Sequence, residues 1–187
     1  MQVPHIIGII EEENLKRDAE WLAICDLDEY FYGVRRKFST TLRLHFTDFD
    51  VVYVPWRMFG TSGMIEQPED VRLNNTLRKP DIDTTTKFVI RPANVDISKI
   101  SLHLVQYPTR RKHRVTTAND SLLRMNHYRL QSLQYYQRSK MHRGDAAISA
   151  SDGIRTMNYF HQWNSGMTFE DNFLKNVVLS PPPHYYE

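Results

Sequence analysis

Two apolar runs flank a helix-forming stretch near the start of the chain, and together they leave few folds open. "WLAICDL", Trp21 to Leu27, has the compact apolar make-up of an interior strand, and "DFDVVYVPW", Asp48 to Trp56, is rich in β-branched and aromatic residues. Between them "FSTTLRLHF" can form a short helix, so strand, helix and strand follow one another within the length of a crossover unit. Mixed α/β architecture is the expectation. "TKFVIRP", "SLHLVQYP" and "SLLRMNHY" are three further expected strands, and Gly60 and Gly63 break the chain ahead of "EQPEDVRLNNTLRK", a loop leading into a polar helix. In "LQSLQYYQRSKMHRGDA", Leu130 to Ala146, Leu130, Leu133, Tyr136 and Lys140 repeat at helical spacing and Gly144 is a natural stop. Two amphipathic stretches, "IRTMNYFHQW" and "FEDNFLKNVV", precede a proline-rich tail. At the amino end "EEENLKRDAE" predicts a short solvated helix, and "MQVPHIIGII" is a candidate remnant strand.

Composition bounds the partners more than the fold. With 187 residues, 41% of them hydrophobic, the chain can bury one core of ordinary size, and we divide it into an α/β domain over 1–150 and a helical extension over 151–187. Lys plus Arg number 24 against 22 Asp plus Glu, so the net charge of +2 gives no general reason to expect a nucleic acid. The basic run "TRRKHR" reads as a solvated loop, without the interleaved aromatics of a nucleic-acid surface. The single cysteine, Cys25, rules out a disulfide framework and reads as a buried small hydrophobe. No apolar stretch approaches the length that spans a bilayer.

Asp26, Asp28 and Glu29 close the first apolar run, three carboxylates within four positions. One reading is a solvated turn or helix start, where carboxylates are at home. The other is chemical. In an extended chain Asp26 and Asp28 project to one side and Leu27 to the core, at a strand's carboxyl end, where open α/β sheets gather ligands. Two like charges side by side tolerate each other once a hard divalent ion such as Mg or Mn bridges them to phosphate oxygens.

Four blocks, "WLAICDLDEYFYG", "VVYVPWRMFGTSG", "TKFVIRP" and "NHYRLQSLQYYQRSKMHRGDA", resemble in order and wording those of the family 92 glycosyltransferases and their glycosyltransferase 2-like relatives, over roughly Glu20 to Ala146. The resemblance implies a GT-A fold, a nucleotide-binding α/β sheet whose Asp-x-Asp motif holds Mn2+ or Mg2+ on a nucleotide-sugar diphosphate. It also implies transfer to a hydroxyl of a glycan or glycoconjugate acceptor with inversion. Asp26 matches the first aspartate of the motif, near the ribose or the metal's water shell, and Asp28 the second, the direct metal ligand. His127 falls where such enzymes bring a late histidine toward the metal, with a hydrogen-bonded strand-end histidine as the plainer alternative. Trp56, Phe59 and Gly60 match the acceptor-side block, with core packing the simpler account of both aromatics. Only 25 residues precede Asp26, too few for the two crossover units that grip base and ribose, so an amino-terminally short form is expected. The compartment stays open: Golgi lumen for part of a longer eukaryotic protein, cytoplasm for a bacterial or viral one.

Sugar transfer needs a stabilised leaving diphosphate and an activated hydroxyl. Lys140 and Arg143 are candidates for the first, although basic residues near a helix end also serve as caps. For the second, an inverting reaction requires a carboxylate on the acceptor side; Asp145 and Glu66 are the candidates named, with Glu69 and Asp70 nearby. Two alternatives remain. An aspartyl phosphotransferase would need a Ser or Thr close after the acidic pair, which "DLDEYF" lacks. A non-catalytic scaffold would use Tyr135, Tyr136 and the "TRRKHR" run instead.

Overall fold

The computed structural model describes residues 3–105, 114–143 and 155–185. In chain order the elements are α1 (Val3–Glu12), α2 (Leu15–Asp18), β1 (Leu22–Ala23), β2 (Glu29–Gly33), α3 (Phe38–His45), β3 (Val51–Met58), α4 (Val71–Asn74), β4 (Leu77–Arg78), β5 (Thr86–Ile90), β6 (Val115–Thr117) and β7 (Leu123–His127). There follow α5 (Leu133–Tyr135), a π-helical turn (Tyr136–Lys140), α6 (Met141–Arg143), α7 (Met157–Ser165), β8 (Phe169–Glu170) and α8 (Phe173–Leu179). The chain divides into two compact units, one of residues 1–56 and 83–125, the other of 57–82 and 126–186. Most of the stretch after residue 150 thus falls in the second unit, together with residues 57–82.

A mixed sheet in the order β1-β5-β3-β7-β2, with β6 also pairing β3, organises the first unit. β5 runs antiparallel to β1 and β3, in the register Leu22↔Ile90 and Tyr53↔Phe88, while β6 is parallel to β3. Alternation along the strands sends Val51, Tyr53, Phe88, Ile90 and Leu22 into one apolar cluster and Val52, Val54, Val89 and Ala23 into another. Ile6, Ile7 and Ile10 of α1 cover the first, and Phe38 and Leu42 of α3 cover the second. A sheet buried on both faces needs apolar residues at successive positions, which is why its strands read as unbroken runs. Each fully buried valine among them contributes about 1.5–3 kcal/mol.

"MQVPHIIGII" is not a strand: from Val3 it is helical, with Pro4 in the first turn, where a missing N–H costs nothing. Ile6, Ile7 and Ile10 form a stripe at helical spacing that the core takes up. "SLHLVQYP" is not a strand in its described part; Ser101 N–H donates to the Leu104 carbonyl in a tight turn, leaving one bridge between Ile100 and Val105. The helix expected from Leu130 starts at Leu133, as α5, because the Ser132 hydroxyl accepts the Tyr135 N–H as an N-cap. β2 ends at Gly33, where an added Cβ would run into the Arg36 carbonyl oxygen and the Thr41 hydroxyl. Gly33→Ala is therefore expected to cost about 1–3 kcal/mol, read as a lower urea midpoint; an unchanged midpoint would show that the Arg36 turn yields freely.

In the second unit β4 and β8 pair antiparallel, and Leu130, Tyr136 and Phe160 form a small core with the Tyr136 and Phe160 rings 4.9 Å apart. Asp171 accepts from Arg57 and Arg78, each at 2.8 Å, and all three side chains are buried. The loop after Met58 is tied down by Asn75, whose amide donates to the Gly60 carbonyl, and by Ser62, whose hydroxyl accepts the N–H groups of Thr76 and Leu77. Gly63 sits at φ 82°, the left-handed region that glycine enters freely.

Candidate functional site: an acidic turn closed by a buried lysine

The acidic cluster is a tight turn, not an extended strand end. Strand β1 contributes only Leu22 and Ala23 to the sheet; the chain then leaves β5 and reverses over Asp26–Glu29, where Glu29 N–H donates to the Asp26 carbonyl at 3.1 Å. Leu27, expected in the core, stands at the turn's tip, 99% exposed. Cys25, expected to be buried, is exposed for the same reason. Asp28 is only 7% exposed and Glu29 4%, so the turn tucks two of its acidic groups in and lifts its apolar residue out.

The charge that relieves the crowding is the chain's own. Lys87, fully buried on β5, places its Nζ 3.0 Å from Asp26 Oδ2 and 3.3 Å from Glu29 Oε2. Glu29 Oε2 also accepts the Asp26 N–H at 2.9 Å, so the lysine and the turn backbone close on one carboxylate oxygen. Glu29 Oε1 is buried and has no hydrogen-bond partner among the described residues. Burial pushes the Glu29 carboxyl up to about 7, against the opposing pull of the Asp26 N–H and the Lys87 charge.

The sign of the pH dependence follows. The folded state holds the Glu29 proton more tightly than the unfolded chain does. This contribution to stability is complete below the ordinary value of 4.5 and fades as pH rises through about 7. Over that window the loss amounts to about 3 kcal/mol. Glu29→Gln should flatten the decline of melting temperature between pH 5 and 8 in chelator-containing buffer; an identical decline in wild type and variant would assign it elsewhere.

The other candidate residues are distributed as follows. Trp56, in the first unit, is half-buried against the Leu42–Val54 cluster and stands edge-on to His103 at 5.2 Å. Phe59, in the second unit, is buried with its ring 4.8 Å from Tyr128, so it packs an interior instead of offering a face to a sugar. The close approach that Gly60 permits is that of Met167 and Asn164 of its own chain. His127, buried at the end of β7 in the second unit, accepts the Phe59 N–H through its carbonyl. Lys140 lies in the π-helical turn, its Nζ 5.7 Å from the Tyr135 ring centroid. Arg143 closes α6; its side chain, Asp145, Gly144 and most of "TRRKHR" lie outside the described residues. Glu66 and Glu69 are exposed in the loop before α4, and Asp70 caps that helix while pairing with Arg72 at 2.6 Å.

Among the described residues no three His, Cys, Asp or Glu side chains form a metal-ligand group. A hard ion carried on a diphosphate takes only one or two protein carboxylates, its remaining ligands being phosphate oxygens and water. Of the turn's two aspartates, Asp26 is part-exposed with one oxygen already engaged by Lys87, and Asp28 is buried. Among the described residues no helix is long and apolar enough to cross a membrane.

No curated protein matches the chain. The family model described as glycosyltransferase family 92 matches residues 14–168, a span that takes in the acidic turn, Lys87 and the whole mixed sheet flanked by helices. The chain belongs to glycosyltransferase family 92.

Proposed function

We propose that the chain transfers a sugar from a nucleotide-sugar donor to a hydroxyl of a glycan or glycoconjugate acceptor, as a GT-A-type domain that inverts the anomeric carbon. The observation that carries this reading is the acidic turn at the end of β1, in a chain of this family, where a buried carboxylate, Asp28, and a part-exposed one, Asp26, lie two positions apart. Asp26 and Asp28 would hold Mn2+ or Mg2+ on the donor diphosphate, and such an ion supplies Lewis acidity toward the charge that develops on the leaving phosphate. The protein's own part is binding and orientation: the turn fixes where the diphosphate sits, and the low-dielectric wall of the sheet strengthens every charge interaction there.

On the acceptor side a carboxylate takes the hydroxyl proton as the new glycosidic bond forms. Glu66, exposed beyond Gly63, and Asp145 are the residues we assign to this step, and Lys140 and Arg143 those we assign to positive charge for the diphosphate, each on its place in the blocks that resemble the family.

The test is titration of the protein with uridine diphosphate and guanosine diphosphate, with and without manganese, alongside release of sugar from the matching nucleotide sugars. Manganese-dependent binding of one of them, with turnover, is expected. Absence of nucleoside diphosphate binding under either condition would favour the alternative, a non-catalytic binding module built on the same domain.

A further inference from the structure

We propose that Lys87 is the positioning residue of the donor site: its buried ammonium holds the Asp26–Glu29 turn in the shape that receives a nucleoside diphosphate, doing inside the protein what a metal alone was expected to do. The inference rests on the donor-binding reading above. Three observations carry it. Lys87 is fully buried, and a lysine is almost never so placed unless it is paired. Its Nζ reaches two members of the acidic turn at once, Asp26 Oδ2 and Glu29 Oε2, from a strand that leaves the turn by sequence far behind. And while the Glu29 N–H closes the turn on the Asp26 carbonyl, the Asp26 N–H donates to Glu29 Oε2, the same oxygen that the ammonium holds.

Register explains how the lysine gets there. On β5, Ile90 and Val89 face Leu22 and Ala23 of β1, and Val54 of β3 lies opposite Lys87. Past Ala23 the first strand departs, so the β5 position reached by Lys87 has lost its β1 neighbour and meets the returning turn instead. An apolar residue at that place would leave Asp26 and Glu29 facing each other without a cation. Replacement of the lysine therefore acts on Asp26 through its orientation, and Lys87 itself touches neither donor nor acceptor in this assignment.

The experiment uses the full chain with three variants: Lys87→Met, Lys87→Arg, and Lys87→Met combined with Glu29→Gln, the last removing one buried charge of each sign so that folding is retained. Two readouts are taken. Hydrogen exchange at the Glu29 amide should quicken about tenfold or more in Lys87→Met and in the double variant while the amides of β3 keep their protection. Binding of manganese with uridine diphosphate or guanosine diphosphate should weaken by about 10–100-fold, the range for groups that orient a metal-site carboxylate. In turnover the loss should appear in donor KM with acceptor KM unchanged, and Lys87→Arg should restore part of it. Unchanged exchange at Glu29, or a double variant that binds the nucleotide as wild type does, overturns the assignment. Should wild type bind neither nucleotide, the transferase reading fails, while the Glu29 exchange rate still decides whether Lys87 sets the turn.

Discussion

Asp171→Asn is expected to lower the stability of the protein by about 3–5 kcal/mol, the loss that follows removal of one partner from a buried ion pair. Arg57 Nη1 and Arg78 Nε both donate to Asp171 Oδ2 at 2.8 Å, and the three side chains are between 5% and 7% exposed. Arg78 spends Nη1 on the carbonyls of Lys79 and Pro80 and stacks its guanidinium 4.3 Å from the Phe169 ring centroid, so it cannot swing out to water cheaply. Asp171 Oδ1 meanwhile accepts the Phe173 N–H at the start of α8. An amide in its place would leave two buried cations and no anion. Burial alone would raise the Asp171 carboxyl, but the Arg78 hydrogen bond, the Phe173 N–H and the charge of Arg57 outweigh it and hold it below the usual carboxylate range. Its contribution is therefore complete above the unfolded value of about 3.9 and disappears as pH falls through the lower folded value. Urea denaturation at pH 7 and at pH 3 reads both effects: a large drop in midpoint for the variant at pH 7, and a smaller difference from wild type in acid. Asp18→Asn, which breaks only the exposed pair with Arg17, should leave the midpoint unchanged. A loss for Asp171→Asn no greater than that of Asp18→Asn would mean that the two guanidiniums find other partners.

The interior strands were legible because the sheet is buried on both faces: "DFDVVYVPW" and "TKFVIRP" have no polar face to disguise them, and β3 and β5 lie where those runs predicted. Trp21 to Leu27 misled for the opposite reason. Its apolar residues up to Ile24 pack, partly buried, against the two core clusters, but pairing with β5 ends at Ala23, and nothing in the run marks where a strand stops pairing and turns. That is why Leu27 and Cys25 were placed inside and emerged outside. The partner of the acidic cluster does carry a signal: a lysine second in an otherwise apolar strand, "TKFVI", is a charge in a place where only a paired charge survives. The Arg57, Arg78 and Asp171 cluster had no such signal, since the aspartate lies 114 and 93 positions from its two partners, beyond the reach of any periodicity. At Gly60 an added Cβ would meet Met167 and Asn164, so the chain itself fills that space, a matter of tertiary packing that no local pattern carries.

Asp28→Asn should cut turnover of the nucleotide-sugar donor by about 10²–10³-fold, the cost of losing a carboxylate that would hold the ion facing the charge that develops on the leaving phosphate. Asparagine matches the aspartate in volume, so the buried side chain, 7% exposed, is replaced without a cavity. Manganese should no longer strengthen nucleoside diphosphate binding in the variant. Asp26→Asn is the informative comparison. Its carboxylate is 39% exposed and shares Lys87 with Glu29, so part of its charge is already neutralised inside the protein, and its removal should cost nearer tenfold. The order of the two effects separates a turn whose buried member meets the donor from one in which both aspartates serve only to balance the lysine. In the second case Asp26→Asn, which strips Lys87 of its closer partner, would be the more damaging in both stability and turnover, and Asp28→Asn would transfer sugar at wild-type rates.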